Sequence, residues 1–78
     1  MKGAGMNKDT IGNRLKTVRV EHELSQRELA AEIRVSNSTI SRIEKDESLP
    51  DTKTLIAYMD HFCISADWIL GRGEADGI

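Results

Sequence analysis

Five polar side chains near the middle of the chain could form hydrogen bonds to the edges of nucleic-acid bases. They are spaced so that a helix would present them on one face: Asn37, Ser38, Ser41, Arg42 and Lys45. This face has two cations and no acidic side chain. Short hydrogen-bonding groups and long cations are the residue types that read bases in the major groove, which is wide enough to admit a helix. An ordinary solvent-exposed helix face is the alternative, because it carries the same residue types.

Other kinds of chemistry have few candidate residues in this sequence. Apart from hydroxyls and carboxylates, the candidate nucleophiles and metal ligands are His22, His61 and Cys63. His61 and Cys63 are close in sequence, but no second pair completes a tetrahedral metal site. The sequence has no Gly-rich phosphate loop and no Ser-His-Asp motif. We therefore predict no enzyme activity, metal, cofactor or small-molecule ligand, and we expect Cys63 to be a small buried residue.

The polar face belongs to the second of two short helices predicted between Ser25 and Glu44. Ser25 precedes Glu28 by the spacing of a capping box, which begins the first of these helices. Ser36 is an N-cap candidate for the second helix, because its hydroxyl can accept a hydrogen bond from a backbone amide one turn later. Residues 33–35 are too few to form a structured loop, so the second helix must leave the first at a steep angle.

Three further helices complete the prediction of an all-α, five-helix bundle with one core. Their expected N-caps are Asp9 or Thr10 for the first helix, Asp51 for the fourth and Ser65 for the last. Gly71 is expected just beyond the last helix.

The apolar residues of the second half of the chain give specific expectations for the core. The fourth helix should turn Leu55, Met59 and Phe62 inward, with Ile56 and Tyr58 flanking this stripe. Trp68 and at least one of Ile69 and Leu70 should close the bottom of the core, with Trp68 contributing the most by its burial. Leu49 should lie in the core beneath the loop that precedes the fourth helix.

The length of 78 residues predicts one domain. We divide the chain into residues 1–8, a disordered arm or residues foreign to the native protein, residues 9–71, the folded domain, and residues 72–78, a flexible tail or shortened linker. One cysteine allows no intrachain disulfide and suits a reducing cytosol. The sequence has neither an apolar run long enough for a membrane span nor a signal peptide. We therefore expect a cytoplasmic protein without a membrane partner.

The net charge of −2 argues against strong non-specific binding to nucleic acid. The charges are unevenly distributed, because nine of the eleven Lys and Arg residues lie at or before Lys45. One side of the molecule should therefore be less negative than the other, without forming a strong basic patch.

The sequence as a whole resembles the lambda-repressor-like, Cro/C1-type helix-turn-helix family, in particular its phage-type repressors. The matching segments extend from about Thr10 to Glu74: LSQRELA, VSNSTISRIE, LP, TLIAYMDHFCIS and ADWILGRGE. The resemblance implies a sequence-specific regulator of transcription, a repressor, that binds double-stranded DNA. It also implies a homodimer that places the third helix of each copy in the major groove of an operator half-site.

The resemblance implies a role for each of several side chains. The positions that reach base edges match Asn37, Ser38 and Arg42, and Ser41 lies among them. Contacts to DNA phosphates are implied for four residues, among which Gln26 also braces the first base-contacting residue: Ser25, Gln26, Ser36 and Lys45. Arg19 and Glu44 match a partly buried ion pair between the first and third helices, and two independent surface charges are the alternative.

Three positions depart from the family pattern, which has Gly at each of them. They are Glu23, Arg34 and Cys63, all at predicted helix C-termini, where Gly tolerates a positive φ. We expect strain or a rearranged turn, at Arg34 in particular.

A second function remains open from the sequence. The acidic composition would also suit a protein-interaction module on the same fold, of the antitoxin or antirepressor type. For a dimer, the expected contact surface is the exposed apolar residues near Ile69, Leu70 and the tail.

Overall fold

A computed structural model describes residues 10–71 of the chain. These residues form five helices and no strand, which confirms the predicted all-α class: α1 (Ile11–Glu21), α2 (Gln26–Ile33), α3 (Asn37–Glu44), α4 (Thr52–Phe62) and α5 (Ala66–Leu70). The predicted arm at 1–8, the alternative cap Asp9 and the predicted tail at 72–78 lie outside the described residues.

Each helix begins at a predicted cap residue with an extended backbone. In every case the side chain of the cap accepts a hydrogen bond from the backbone amide three residues later: Thr10 from Asn13, Ser25 from Glu28, Ser36 from Thr39, Asp51 from Thr54 and Ser65 from Trp68. The capping box of α2 is complete, because the Glu28 carboxylate also accepts from the Ser25 amide at 2.8 Å. These local bonds explain why the helix starts agree with the sequence prediction.

All five helices contribute to one core, in which α3 packs against both α1 and α2. The buried apolar side chains are Leu15, Val18, Leu29, Ala30, Ile40, Ile43, Tyr58, Phe62 and Ile69. The inner side of α3, the helix with the predicted polar face, is therefore packed against α1 and α2.

The inward face of α4 is rotated from the predicted one, whereas that of α5 agrees with the prediction. Tyr58 is fully buried, whereas Leu55 and Met59 are half-buried beside the core. Phe62 is buried as predicted, and in α5 Ile69 is fully buried while Trp68 is half-buried against the core. In α4 the residue before each of Leu55 and Met59 faces inward, because side chains at adjacent positions leave the sequence pattern ambiguous by one step.

Two burial predictions were wrong. Leu49 is 72% exposed, because the loop between α3 and α4 carries it away from the core. Cys63 is also exposed. It follows the last turn of α4 in a left-handed conformation with a φ of 56°, so it belongs to the end of the helix and not to its inner stripe.

Positive φ angles occur at all three positions where the family pattern has Gly: 58° at Glu23, 62° at Arg34 and 56° at Cys63. The chain therefore keeps the expected turns and accepts the strain of L residues in the left-handed region. Asp46, at 61°, is a fourth such residue that the sequence pattern did not predict. Gly71, with a φ of 76°, ends α5 as predicted.

Candidate nucleic-acid interface

The turn between α2 and α3 sets the direction in which α3 leaves the scaffold. Arg34 ends α2 in the left-handed conformation, and its N–H donates to the Ala30 carbonyl. The Val35 amide donates to the same carbonyl at 3.0 Å. Ser36 then begins α3, so the turn is closed by backbone bonds that leave the Arg34 side chain exposed.

The two sides of α3 differ sharply in their surroundings. Ile40 and Ile43 are fully buried on the inner side. The predicted polar residues lie together on the outer side, where four are exposed and Ser41 is half-buried: Asn37, Ser38, Arg42, Lys45 and Ser41. The structure therefore brings the predicted base-contacting residues onto one accessible helix face that a groove could receive.

Hydroxyl groups at the start of α3 are already engaged with one another. The Ser36 Oγ accepts from the Thr39 amide at 3.1 Å and lies 2.7 Å from the Thr39 hydroxyl. The Ser38 hydroxyl lies 3.2 Å from the same Ser36 Oγ. The side chains of Asn37 and Arg42 form no hydrogen bond or ion pair within the described part of the chain. The Asn37 amide and the Arg42 guanidinium are thus free to bind an external partner.

Arg19 and Glu44 form a two-bond ion pair between α1 and α3. The Arg19 Nε donates to Glu44 Oε2 at 2.7 Å, and its Nη2 donates to Oε1 at 2.9 Å. The Arg19 Nη1 also donates to the Leu24 carbonyl at 2.6 Å. The Glu44 side chain is 3% exposed. The geometry is that of a desolvated, bidentate pair, for which loss of one partner costs about 3–5 kcal/mol.

Gln26, the first residue of α2, is hydrogen-bonded to the same ion pair. The Gln26 Nε2 donates to Glu44 Oε1 at 3.0 Å, so this oxygen accepts from α1 and from α2 at once. The half-buried Gln26 side chain is thereby tied to the C-terminal end of α3. This bond could not be predicted from the sequence, because residues 26 and 44 come together only through the packing of α2 on α3.

Hydrogen bonding, burial and charge shift the pKa values of two groups at the ion pair, Arg19 and Tyr58. The hydrogen bond to Glu44 raises the pKa of Arg19, against the opposing effect of burial. Burial raises the pKa of the Tyr58 hydroxyl, and the neighbouring Glu44 charge acts in the same direction. The Tyr58 hydroxyl is also a buried polar atom without a hydrogen-bond partner in the described structure. Arg19 and Tyr58 therefore stay protonated at physiological pH.

A second bond joins α1 to the end of α3. The Asp46 Oδ1 accepts from the Gly12 amide at 3.0 Å. A Cβ at Gly12 would lie 2.7 Å from the same oxygen and still closer to the Ile43 carbonyl oxygen. This link was not predicted from the sequence, in which a glycine inside a predicted helix was the available signal of a close approach.

Other kinds of site find no support in this part of the molecule. Among the described residues, no three His, Cys, Asp or Glu side chains are grouped so that they could hold a metal ion. None of the described helices is long and apolar enough to cross a bilayer.

The sequence is similar to a family of known proteins over most of its length. The sequence profile of the helix-turn-helix family matches residues 15–69. The HTH-type transcriptional regulator ImmR of Bacillus subtilis (strain 168) is 34% identical over 65 residues, which cover 83% of this chain and 51% of that protein. The immunity repressor protein of Bacillus phage phi105 is 36% identical over 63 residues, covering 81% of this chain and 44% of that protein. The chain thus spans about half the length of these relatives.

Proposed function

Because the chain belongs to the helix-turn-helix family, we propose that it binds double-stranded DNA sequence-specifically and regulates transcription as a repressor. The observation that carries the proposal is the outer face of α3, which is polar, accessible and free of acidic side chains. The repressor role rests on the names of the relatives, one a transcriptional regulator and the other an immunity repressor. A protein with this role works in the cytoplasm, the location we propose.

Base reading in this proposal falls on the exposed face of α3. Arg42 suits a bidentate contact to guanine, and Asn37 suits one to adenine. Each such contact contributes about 1–3 kcal/mol of discrimination against the wrong base. Ser38 and Ser41 are proposed as secondary contacts, since short hydroxyls pair with several bases.

Contacts to phosphate oxygens would surround this face and fix its register on the duplex. Ser25 and Ser36 lie at the starts of α2 and α3, where backbone amides point outward and favour anions. Gln26 can donate from its side-chain amide, and the exposed Lys45 supplies a cation at the end of α3. These four residues are the proposed phosphate contacts.

We propose that two copies bind together. One α3 helix covers too few base pairs to select a site in a genome, whereas a dimer reads two half-sites about one helical turn apart. Leu70 on α5 is 43% exposed and remains a candidate for the contact between copies, but Ile69 is fully buried and is unsuited to that role.

Selection of bound duplexes from a random pool tests the proposal directly. We expect an enriched motif with two half-sites, and a complex of two chains per duplex by analytical ultracentrifugation. The Arg42→Ala variant should lose preference at one position of each half-site, whereas Lys45→Ala should weaken binding to all sequences alike. Absence of any enriched motif would contradict the proposal.

The acidic composition favours one alternative, a protein-interaction module on the same fold. The salt dependence of duplex binding distinguishes a DNA-binding protein from a protein-interaction module. Affinity for duplex should fall steeply with salt for a dimer that contacts phosphates, and a protein-only module should show no duplex binding at any salt concentration.

A further inference from the structure

We propose that Glu44 is a positioning residue for DNA binding, which acts by fixing the side-chain amide of Gln26 at the start of α2. The inference rests on the proposed function and deepens it. Glu44 does not itself face DNA, because its side chain is 3% exposed. Its Oε1 accepts from Gln26 Nε2 at 3.0 Å while its carboxylate is held by two bonds from Arg19.

The charge of Glu44 decides which way the Gln26 amide points. A carboxylate at hydrogen-bonding distance can only accept, so the amide nitrogen must face it and the amide oxygen must not. The nitrogen carries two hydrogens, and Glu44 takes one of them. The second hydrogen remains for a phosphate oxygen, which is also solely an acceptor. A freely rotating amide would present its oxygen to the phosphate in part of its conformations.

The position of Gln26 makes this orientation useful. Gln26 is the first residue of α2, and the backbone amides of the first turn have no acceptor within the helix. A phosphate at this end could therefore receive backbone and side-chain donors together, with the favourable helix dipole behind them. Fixing the side chain in advance avoids the loss of its conformational freedom on binding.

Arg19 makes a buried carboxylate tolerable close to this proposed contact. An unpaired Glu44 would repel phosphate and would be costly to bury. Its two bonds from Arg19 balance the charge and also fix the carboxylate in the plane that Gln26 meets. The same three side chains thus join α1, α2 and α3 at the edge of the proposed interface.

A double-mutant cycle on the intact chain tests the coupling. The probe is a duplex selected with the wild-type protein from the random pool. Gln26→Ala is made in the wild type and in an Arg19→Met, Glu44→Leu background, since an apolar pair of similar volume often preserves stability. Affinities are measured at a temperature at which circular dichroism shows every variant folded, and general charge effects of the background cancel within the cycle.

We expect Gln26→Ala to weaken binding about tenfold in the wild type, the effect of one hydrogen bond to a charged group, and less than about twofold in the apolar background. Glu44→Asp provides a second background if the apolar pair does not fold, because the shorter side chain keeps a charge for Arg19 and withdraws the acceptor from Gln26. The inference would be overturned if Gln26→Ala weakened duplex binding equally in the wild type and in the apolar background. It would also be overturned if Gln26→Ala did not weaken binding in the wild type. If the wild type selects no duplex, the proposed function itself fails.

Discussion

Arg34 holds the joint between α2 and α3 in a conformation that glycine adopts more easily. Its φ of 62° places it in the left-handed region, where an L residue is disfavoured by about 1–2 kcal/mol. The Arg34 side chain is exposed, so no buried contact offsets this strain. The angle between the two helices is thus maintained by backbone bonds to Ala30 at the expense of stability.

Replacing Arg34 with Gly should therefore stabilise the protein. The relief of strain is partly offset by the greater backbone freedom of Gly in the unfolded chain, so we expect a gain of about 0.5–1 kcal/mol. Thermal unfolding should show a higher Tm. Arg34→Ala is the matched control, because it removes the same side chain and keeps the Cβ. A Gly variant no more stable than the Ala variant would contradict the strain argument.

The Tyr58 hydroxyl gives a second test at the scale of one residue. It is buried without a hydrogen-bond partner in the described structure, a state that costs about 1–3 kcal/mol. Tyr58→Phe keeps the ring that packs in the core, so we expect stability in urea to be unchanged or higher by up to about 1 kcal/mol. Tyr58→Leu should be destabilising, because it removes ring volume. A loss of more than about 1 kcal/mol in the Phe variant would show that the hydroxyl has a partner.

At the scale of elements, α1 and α3 are joined closely at two places, Arg19 to Glu44 and Gly12 to Asp46. Both links reach the C-terminal end of α3, whereas its N-terminal end is fixed by the turn at Arg34. The approach at Gly12 leaves no room for a Cβ beside the Ile43 carbonyl oxygen. The orientation of α3 therefore depends on a glycine in another helix.

Gly12→Ala should destabilise the domain although Ala is the better helix former. The intrinsic gain of about 1 kcal/mol is outweighed when α1 and α3 are forced apart, and we expect a net loss of about 1–3 kcal/mol in urea denaturation. Lys16→Ala, at an exposed position of α1, serves as the control and should change stability little. A stabilised Gly12 variant would mean that the contact is looser than described.

Asp51, the N-cap of α4, should make the stability of the domain depend on pH in the acidic range. The backbone and side-chain hydrogen bonds from Thr54 lower the pKa of Asp51. A lowered pKa in the folded state means that the cap stabilises α4 above the ordinary pKa of an aspartate, and that this contribution disappears as the pH falls through the lowered value. Asp51→Asn keeps a neutral cap and should show a shallower loss of stability between about pH 5 and pH 3. Equal pH profiles by urea titration would contradict this role for Asp51.

The local part of the fold could be predicted from the sequence. Cap residues act within four positions of themselves, which is why Ser25, Ser36 and Asp51 marked three helix starts correctly. The polar face of α3 followed from its periodicity, and the strained turn at Arg34 followed from the resemblance, since the family has Gly at that helix end. The assignment of this face to DNA contacts stays a prediction.

The long-range part could not be predicted from one sequence. Cys63 and Leu49 were expected inside because they are small or apolar, but their burial depends on where α4 and its preceding loop lie. The bond between Gly12 and Asp46 joins residues 34 apart, and the glycine alone does not identify its partner. Which of Ile69 and Leu70 is buried beside Trp68 was likewise decided by the packing of α5 on α1.

The molecule as a whole has a net charge of −2, so acidic side chains close to the proposed interface should weaken DNA binding more than distant ones. Glu28 lies in the first turn of α2, close to the proposed phosphate contacts. Glu28→Gln retains a capping-box residue and removes the charge, so we expect about two- to fivefold tighter duplex binding at low salt and little change in Tm. Asp60→Asn on α4 changes the net charge equally and should have a smaller effect. Equal effects would indicate that net charge, not position, governs affinity.

The separation of the two sides of α3 bears on how such a protein could diverge. Ile40, Ile43 and Glu44 fix the helix to the scaffold, while the side chains proposed to read bases touch little of the core. Substitutions at exposed positions usually change stability by less than about 0.5 kcal/mol. Descendants of one ancestral sequence could therefore exchange residues 37, 38 and 42 and acquire a new operator while remaining folded at every step. Incompatible operators could arise in this way between closely related genomes without redesign of the domain.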